Sequence, residues 1–179
     1  MHHEVVRELP VCSVLPLAPQ TVSDLADAVS ACAGDSGLLP LSKRRLRPFG
    51  DVVAGLKTLK DHGFRLVVLS NGDPDMLERG VVYSGTADLF DRVISVAEAG
   101  SFKPHAAGYR TARELVGVRP DEVCFVANHA FDCVGAKAAG MRTAFVDRRG
   151  RPFGNETYPP DAVMADFAEL ATVLGVSER

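Results

Sequence analysis

The sequence predicts an α/β fold, a parallel Rossmann-like sheet with helices on both faces. Three observations lead there. Strand-like runs such as FRLVVL (64–69), EVCFV (122–126) and TAFVD (143–147) are continuously apolar, as expected of strands buried on both faces. Segments with helical apolar spacing stand between them. The connections are short, so each helix returns the chain to a new parallel strand of the same sheet.

Each element has its own signal. Residues 11–17 (VCSVLPL) are a short apolar run preceded by Pro10 and interrupted by Pro16. Residues 22–32 show helical spacing at Val22, Leu25, Ala26 and Val29, after a capping Thr21 or Ser23. A loop at 34–40 leads to Lys43, Arg44, Arg45 and Arg47, a basic cluster that reads as a solvated helix face, with anion binding as the alternative. From Pro48 the pattern is regular. A helix over 51–61 is stopped by Gly63, and the strand 64–69 ends at Ser70-Asn71-Gly72. Then come a helix at 74–84, a strand at 92–96, a helix at 105–116 and a strand at 122–126. A helix over 132–139 is stopped by Gly140, and a strand follows at 143–147. A short strand near 162–165 and a helix over 167–174 close the pattern. The organisation is an atypical N-terminal segment (1–20), a helical segment (21–46) and an α/β core (47–179).

Composition narrows the function. Apolar residues make up 46% and charged residues 24%, with a formal charge of -3, so general attraction to nucleic acid is not implied. The four cysteines (Cys12, Cys32, Cys124, Cys133) lack CxxC spacing, which argues against structural zinc and for idle thiols in a reducing compartment. No apolar run approaches the ~20 residues that span a bilayer. His2, His3, Glu4 and Glu8 are unlike a signal peptide. A cytoplasmic protein without membrane or nucleic-acid partners is the simplest expectation.

In parallel sheets, function gathers beyond the carboxyl ends of the strands, and polar residues collect there. Ser70 and Asn71 can bind an anion, or merely cap and turn. Lys103 precedes a proline able to open a helix, which would hold its ammonium near the strand ends. There it could neutralise a carboxylate or phosphate, or remain ordinary surface. Tyr109 lies six residues on. Asn128 and His129 end the next strand, and His129 could act as a general base or be a satisfied structural histidine. Asp132 heads a helix continuing Gly135-Ala136-Lys137-Ala138-Ala139-Gly140. It reads as a partner for Lys103 or as a simple N-cap.

The order of these motifs is more specific than any one of them. With LSNG (69–72), FKPHAAGY (102–109) and ANHAFDCVGAK (127–137) in succession, the chain resembles the haloacid dehalogenase superfamily. Within it, the nearest resemblance is to the L-2-haloacid dehalogenases, over about residues 47–174. The resemblance implies that an aspartate displaces halide from C2 of a small (S)-2-haloacid, and that water hydrolyses the ester to a 2-hydroxyacid. It implies that Ser70 and Asn71 bind the substrate carboxylate or the halide. Lys103 would stabilise the nucleophile's charge, with support from Tyr109, and Asp132 would help activate water. The site is thus expected to comprise Lys103, Asp132 and His129 as catalytic groups, with Ser70, Asn71, Tyr109 and Asn128 binding substrate. No metal and no cofactor are expected. Ala127 and Asn128 stand where magnesium-dependent phosphatases of the superfamily keep an acid, which weakens a phosphatase reading. Residues 21–46 would be a cap remnant, with most of the cap missing. A small carboxylate or halide anion is the expected partner, and homodimer formation is left open.

One part of the pattern is absent from the sequence. The superfamily begins with an apolar strand ending in Asp before a Gly-Thr turn (FDxxGT), and residues 11–17 end without a carboxylate. The halide-gripping arginine is also missing, unless Arg44, Arg45 or Arg47 replaces it. Without its central nucleophile strand, the sheet would leave two rows of backbone groups unpaired. Residues 11–17, another chain, or closure of the sheet could meet that need; the first is favoured, although Pro10 and Pro16 limit its ladder. A substitute nucleophile at Cys12 or Ser13 is the disfavoured alternative. The expectation is a truncated or degenerate dehalogenase with weak or no turnover. The alternative is a non-catalytic relative binding a small carboxylate or a protein partner. Upstream coding sequence bearing FDxxGT would favour truncation, and a genuine start at Met1 would favour the binding protein.

Overall fold

The computed structural model describes residues 11–14, 47–150 and 152–175, with only the backbone described at 11–14. The expected helix at 22–32, the cap remnant at 21–46, Lys43, Arg44, Arg45 and Cys32 lie outside them, as does the Cys12 side chain. Arg47 is exposed.

Among the described residues six strands form one sheet: β1 (Val11–Val14), β2 (Arg65–Ser70), β3 (Arg92–Ser95), β4 (Val123–Ala127), β5 (Arg142–Val146) and β6 (Ala162–Met164). Their order is β3-β2-β1-β4-β5-β6, and every pairing is parallel. The segment beginning at Val11 therefore fills the middle of the sheet. Its register aligns Val11 with Arg65 on one side and with Val123 on the other. The ladder ends at Val14, ahead of Pro16, whose missing N–H could not have extended it.

Among the described residues five α-helices accompany the strands: α1 (Val52–Asp61), α2 (Pro74–Tyr83), α3 (Ala106–Val116), α4 (Ala130–Ala138) and α5 (Ala168–Val173). Alternate residues of each strand face opposite helical layers. Val67, Leu69, Val123, Phe125 and Ala127 pack with Tyr109 and Ala112 of α3 and with Cys133 and Ala136 of α4. Leu66, Cys124, Val126, Ala144, Val146 and Met164 pack with Val52, Leu56 and Leu59 of α1 and with Leu170 of α5. Two apolar layers thus sandwich the sheet, and β2, β4 and β5 are buried on both sides, while Val163 of the edge strand β6 is exposed. Helix α1 presents Val52, Gly55, Leu56 and Leu59 inward, the i, i+3/i+4, i+7 stripe of an amphipathic helix. A Cβ at Gly55 would lie 2.7 Å from the Phe167 carbonyl oxygen, so glycine is what lets α1 approach the start of α5. Cys124 and Cys133 are buried, with both thiols pushed up to about 12, burial being the leading cause.

Three aspartates tie the layers together. The Leu66 and Asp91 backbones and side chains exchange two hydrogen bonds, Leu66 N–H to Asp91 Oδ2 (2.7 Å) and Asp91 N–H to the Leu66 carbonyl (2.8 Å). Thr143 and Asp161 repeat the arrangement at the other edge, at 2.7 and 2.9 Å. Lys60 pairs with Asp91 and Lys137 with Asp161. Asp51 receives two hydrogen bonds from Arg148 (3.1 and 2.6 Å) and one from the Phe167 N–H (2.7 Å), while the Arg148 guanidinium lies 4.1 Å from the Phe49 ring centroid. Burial alone would raise these three carboxyls. The cationic partners and N–H donors outweigh it and hold all three below the ordinary value. A carboxyl lowered in the folded state takes up protons first when unfolded. Its stabilisation is complete above about pH 4 and is lost as pH falls through the folded value. The urea midpoint should hold at pH 5 and drop steeply below pH 4, and Asp51→Asn should flatten that slope. An unchanged slope in the variant would remove Asp51 from this role.

Candidate active site at the strand ends

The carboxyl ends of β2 and β4 flank β1, and the loop after β3 brings Lys103 across β2. Asn71 fixes that loop. Its Oδ1 accepts from the Lys103 N–H (2.8 Å) and its Nδ2 donates to the Lys103 carbonyl (3.3 Å). The lysine side chain then runs inward. Its Nζ donates to the Leu69 carbonyl (3.2 Å), lies 2.9 Å from Asp132 Oδ1, and sits 5.6 Å from the Phe125 ring centroid. The Lys103 and Asp132 side chains are 4% and 9% exposed, so this is a buried ion pair and not a surface one. The approach to Oδ1 is close enough for charge pairing but lacks the direction of a hydrogen bond, leaving that oxygen without a hydrogen-bond donor.

Tyr109 closes the back of the pair. It is fully buried, donates from its hydroxyl to the Asp132 carbonyl (3.1 Å), and meets Phe125 edge-on at 5.4 Å. Burial first, and the Asp132 charge second, push its phenol far above the ordinary value, so it remains a donor. Helix α4 can approach this closely because residue 135 is glycine. A Cβ there would lie 2.6 Å from Tyr109 Oη and 2.9 Å from Pro104 Cβ.

The structure brings Ser70, Asn71, Lys103, Tyr109 and Asp132 together, with several corrections to detail. Tyr109 is fully enclosed, and its hydroxyl reaches the Asp132 carbonyl and not the open end of the site. Pro104 does not open a helix: the Lys103–Pro104 bond is cis, and α3 starts at Ala106 with His105 Nδ1 accepting from Ala107 N–H. Asp132 is not an N-cap, since it lies in the first turn of α4 behind His129. Ser70 does not cap α2, because Asp73 does, while Ser70 Oγ accepts from the Gly72 N–H (3.1 Å). Ser95, at the end of β3, has a structural part that sequence reading did not assign. Its hydroxyl donates to the Gly72 carbonyl (2.6 Å) and fixes the turn after Ser70.

Asn128 and His129 face elsewhere. They line a cleft of about 260 Å³ with Phe131, Phe145, Arg149 and Pro152 among its walls. The His129 ring is tilted against Phe131 at 5.5 Å. Arg149 is a lining residue that sequence reading missed, since a cation in the loop after β5 has no pattern to mark it. Among the described residues, no three His, Cys, Asp or Glu side chains gather as a metal-holding group, and no helix is long and apolar enough to cross a membrane.

Strand β1 lies beside this pair, with Val14 level with Val126 of β4. The residues after Val14 read Leu-Pro-Leu-Ala-Pro, and the next carboxylate in the sequence is Asp24.

Comparison with known proteins gives a consistent result. Haloacetate dehalogenase H-2 of Moraxella sp. (strain B) is 35% identical over 132 residues, covering 74% of this chain and 59% of that protein. An (S)-2-haloacid dehalogenase of Xanthobacter autotrophicus is 43% identical over 104 residues, 58% of this chain and 40% of that one. The solved L-2-haloacid dehalogenase of Xanthobacter autotrophicus with chloropropionic acid covalently bound superposes with a TM-score of 0.68 at 32% identity. That match covers 90% of this chain and 70% of the other. The chain thus spans less than two thirds of the length of these curated relatives. A family of haloacid dehalogenase-like hydrolases matches residues 23–140, starting upstream of the expected limit at Arg47. On that match, and on a parallel sheet whose strand ends hold Ser70, Asn71, Lys103 and Asp132, the chain belongs to the haloacid dehalogenase-like hydrolase family.

Proposed function

We propose that the chain carries the charge-stabilising half of a site that hydrolyses small (S)-2-haloacids to 2-hydroxyacids, and that the 179-residue chain alone turns over weakly or not at all. The buried Lys103–Asp132 pair is the observation that carries this reading. Lys103 Nζ has three N–H donors. One meets the Leu69 carbonyl, and the pairing with Asp132 is by charge and not by a directed hydrogen bond, which leaves donor capacity for a carboxylate or a halide.

In the reaction, a carboxylate oxygen attacks C2, the carbon–halogen bond breaks and halide departs with its electron pair. Water then attacks the ester carbonyl while Asp132 accepts its proton, and the proton returns as the 2-hydroxyacid leaves. Lys103 holds the attacking carboxylate in its charged form. Relatives named as (S)-2-haloacid dehalogenases support the substrate class. The absence of any carboxylate from residues 9–23 supports the low turnover. The same absence favours a second reading, in which the site binds a small carboxylate without reaction.

The test is halide release from (S)-2-chloropropionate by the purified, folded chain, with calorimetric binding of the same compound in parallel. Binding lost in Lys103→Ala, with no release above that control, is the expected result. Lysine-dependent release would overturn the inactivity. Absence of both binding and release would sink the 2-haloacid reading.

A further inference from the structure

Ser95 closes β3 as Ser70 closes β2, and the two are register partners on adjacent strands. Both are buried. They meet at Gly72 from opposite ends of its backbone. The Gly72 N–H donates to Ser70 Oγ (3.1 Å), and the Gly72 carbonyl accepts from Ser95 Oγ (2.6 Å). The turn is also packed tightly on α2. A Cβ at Gly72 would lie 2.7 Å from Leu77 Cδ2 and would collide with Met76 as well.

The two hydroxyls are committed differently. Ser95 Oγ accepts from the Ala97 N–H (3.1 Å) while giving its proton to Gly72, so it has no proton left for a ligand. Ser70 Oγ accepts from Gly72, but its own O–H has no acceptor among the described residues. Ser70 also stands between the two residues that hold Lys103. The Leu69 carbonyl takes Nζ, and the Asn71 amide takes both backbone groups of Lys103. A hydroxyl with a lone pair occupied and a proton unused, at that place, is a donor for an anion drawn by the lysine.

We propose that Ser95 is a positioning residue, holding Gly72 so that the Gly72 N–H occupies a lone pair of Ser70 and the Ser70 O–H is left for the bound carboxylate or halide. This role rests on the 2-haloacid reading of the Lys103 site and adds to it a residue that acts only through another. Capping of the turn at Val96–Ala99 accounts for the bond from Ala97, but not for the proton given to Gly72. Without that proton the Gly72 carbonyl loses its anchor, and the turn can tilt. Ser70 Oγ is then free to rotate towards backbone acceptors and away from the anion.

Calorimetric titration of (S)-2-chloropropionate into the purified full chain tests the coupling, with Ser70→Ala, Ser95→Ala and the double variant. Ser70→Ala should weaken binding about tenfold, the scale of one hydrogen bond to a charged group. Ser95→Ala should weaken it about threefold to tenfold. The double variant should be no weaker than Ser70→Ala alone, because the two residues act as one unit. Ser95→Thr keeps the hydroxyl and should bind within about twofold of the parent. Losses that multiply in the double variant would overturn the proposal, since Ser95 would then act by a route other than Ser70. Hydrogen exchange at the Gly72 amide, followed without ligand, separates the clamp from the substrate class. Exchange should quicken about tenfold in Ser95→Ala. Unchanged exchange would overturn the proposal and leave the 2-haloacid reading standing. Quickened exchange in a chain whose parent binds no chloropropionate would uphold the clamp and sink that reading.

Discussion

Asp132→Ala will cost the fold about 3–5 kcal/mol, the range for removing one partner of a buried ion pair. The Lys103 side chain is only 4% exposed, and its remaining acceptor would be the Leu69 carbonyl at 3.2 Å. Most of the cost is therefore the stranded ammonium and not the lost attraction. That distinction can be measured. Lys103→Met combined with Asp132→Leu removes both charges while filling the volume, and should recover most of the loss, because apolar replacements of buried pairs are often neutral or better. Urea denaturation of the two single variants and the double variant closes the cycle. A single-variant loss below about 1 kcal/mol, the scale of an exposed pair, would mean that Lys103 escapes to water. The pair would then be a surface contact, and its role in the site would fall with it.

The second large effect is expected at Gly135. In a helix interior alanine is the better residue by about 1 kcal/mol, so propensity alone predicts a gain on Gly135→Ala. Packing predicts the opposite. The new methyl would sit 2.6 Å from Tyr109 Oη, 2.8 Å from its Cε2 and 2.9 Å from Pro104 Cβ. Neither neighbour can withdraw freely: Tyr109 is fully buried, and Pro104 is a rigid ring joined to Lys103. Overpacking of this kind costs about 1–3 kcal/mol, and after the propensity gain the expected net result is a loss of up to about 2 kcal/mol with disturbance of the Lys103–Asp132 contact. Tyr109→Phe in the same chain should recover only part of it. The hydroxyl contact would vanish, but the ring and proline contacts would stay, and the Asp132 carbonyl would lose its donor. A stabilised Gly135→Ala would show that α4 can lift away from Tyr109.

Much of this site was legible in the sequence because its parts sit at strand ends, where local pattern is strongest. Ser70 and Asn71 follow a continuously apolar strand, and Asp132 follows another by five residues. A topology in which all strands run parallel then has to gather them. The pairing of Lys103 with Asp132 followed from charge and placement. The details that escaped depend on backbone geometry that residue type does not encode. Asp132 falls in the first turn because His129, not a short polar residue, occupies the cap position. Tyr109 is fully buried against Phe125 and reaches the pair only through the Asp132 carbonyl, a placement that its spacing from Lys103 does not reveal. The Asp51–Arg148 contact joins residues far apart in the chain through loops, and no periodicity announces such a contact.

The central position of β1 also bears on how the molecule is assembled. On one side the sheet consists of β3 and β2, on the other of β4, β5 and β6, and the two groups share no ladder except through β1. That strand has only four residues, and its partners begin at Arg65 and Val123. It is made before either of them and can complete its pairing only after β4 exists. Contacts of such long sequence separation form late and slow folding, because loop closure must precede them. Until β1 inserts, β2 and β4 each present a bare apolar edge, and bare edges invite pairing with other chains. β1 is thus a keystone, synthesised early yet able to complete its pairing only once β4 exists, and until then the facing edges of β2 and β4 are open to pairing with other chains.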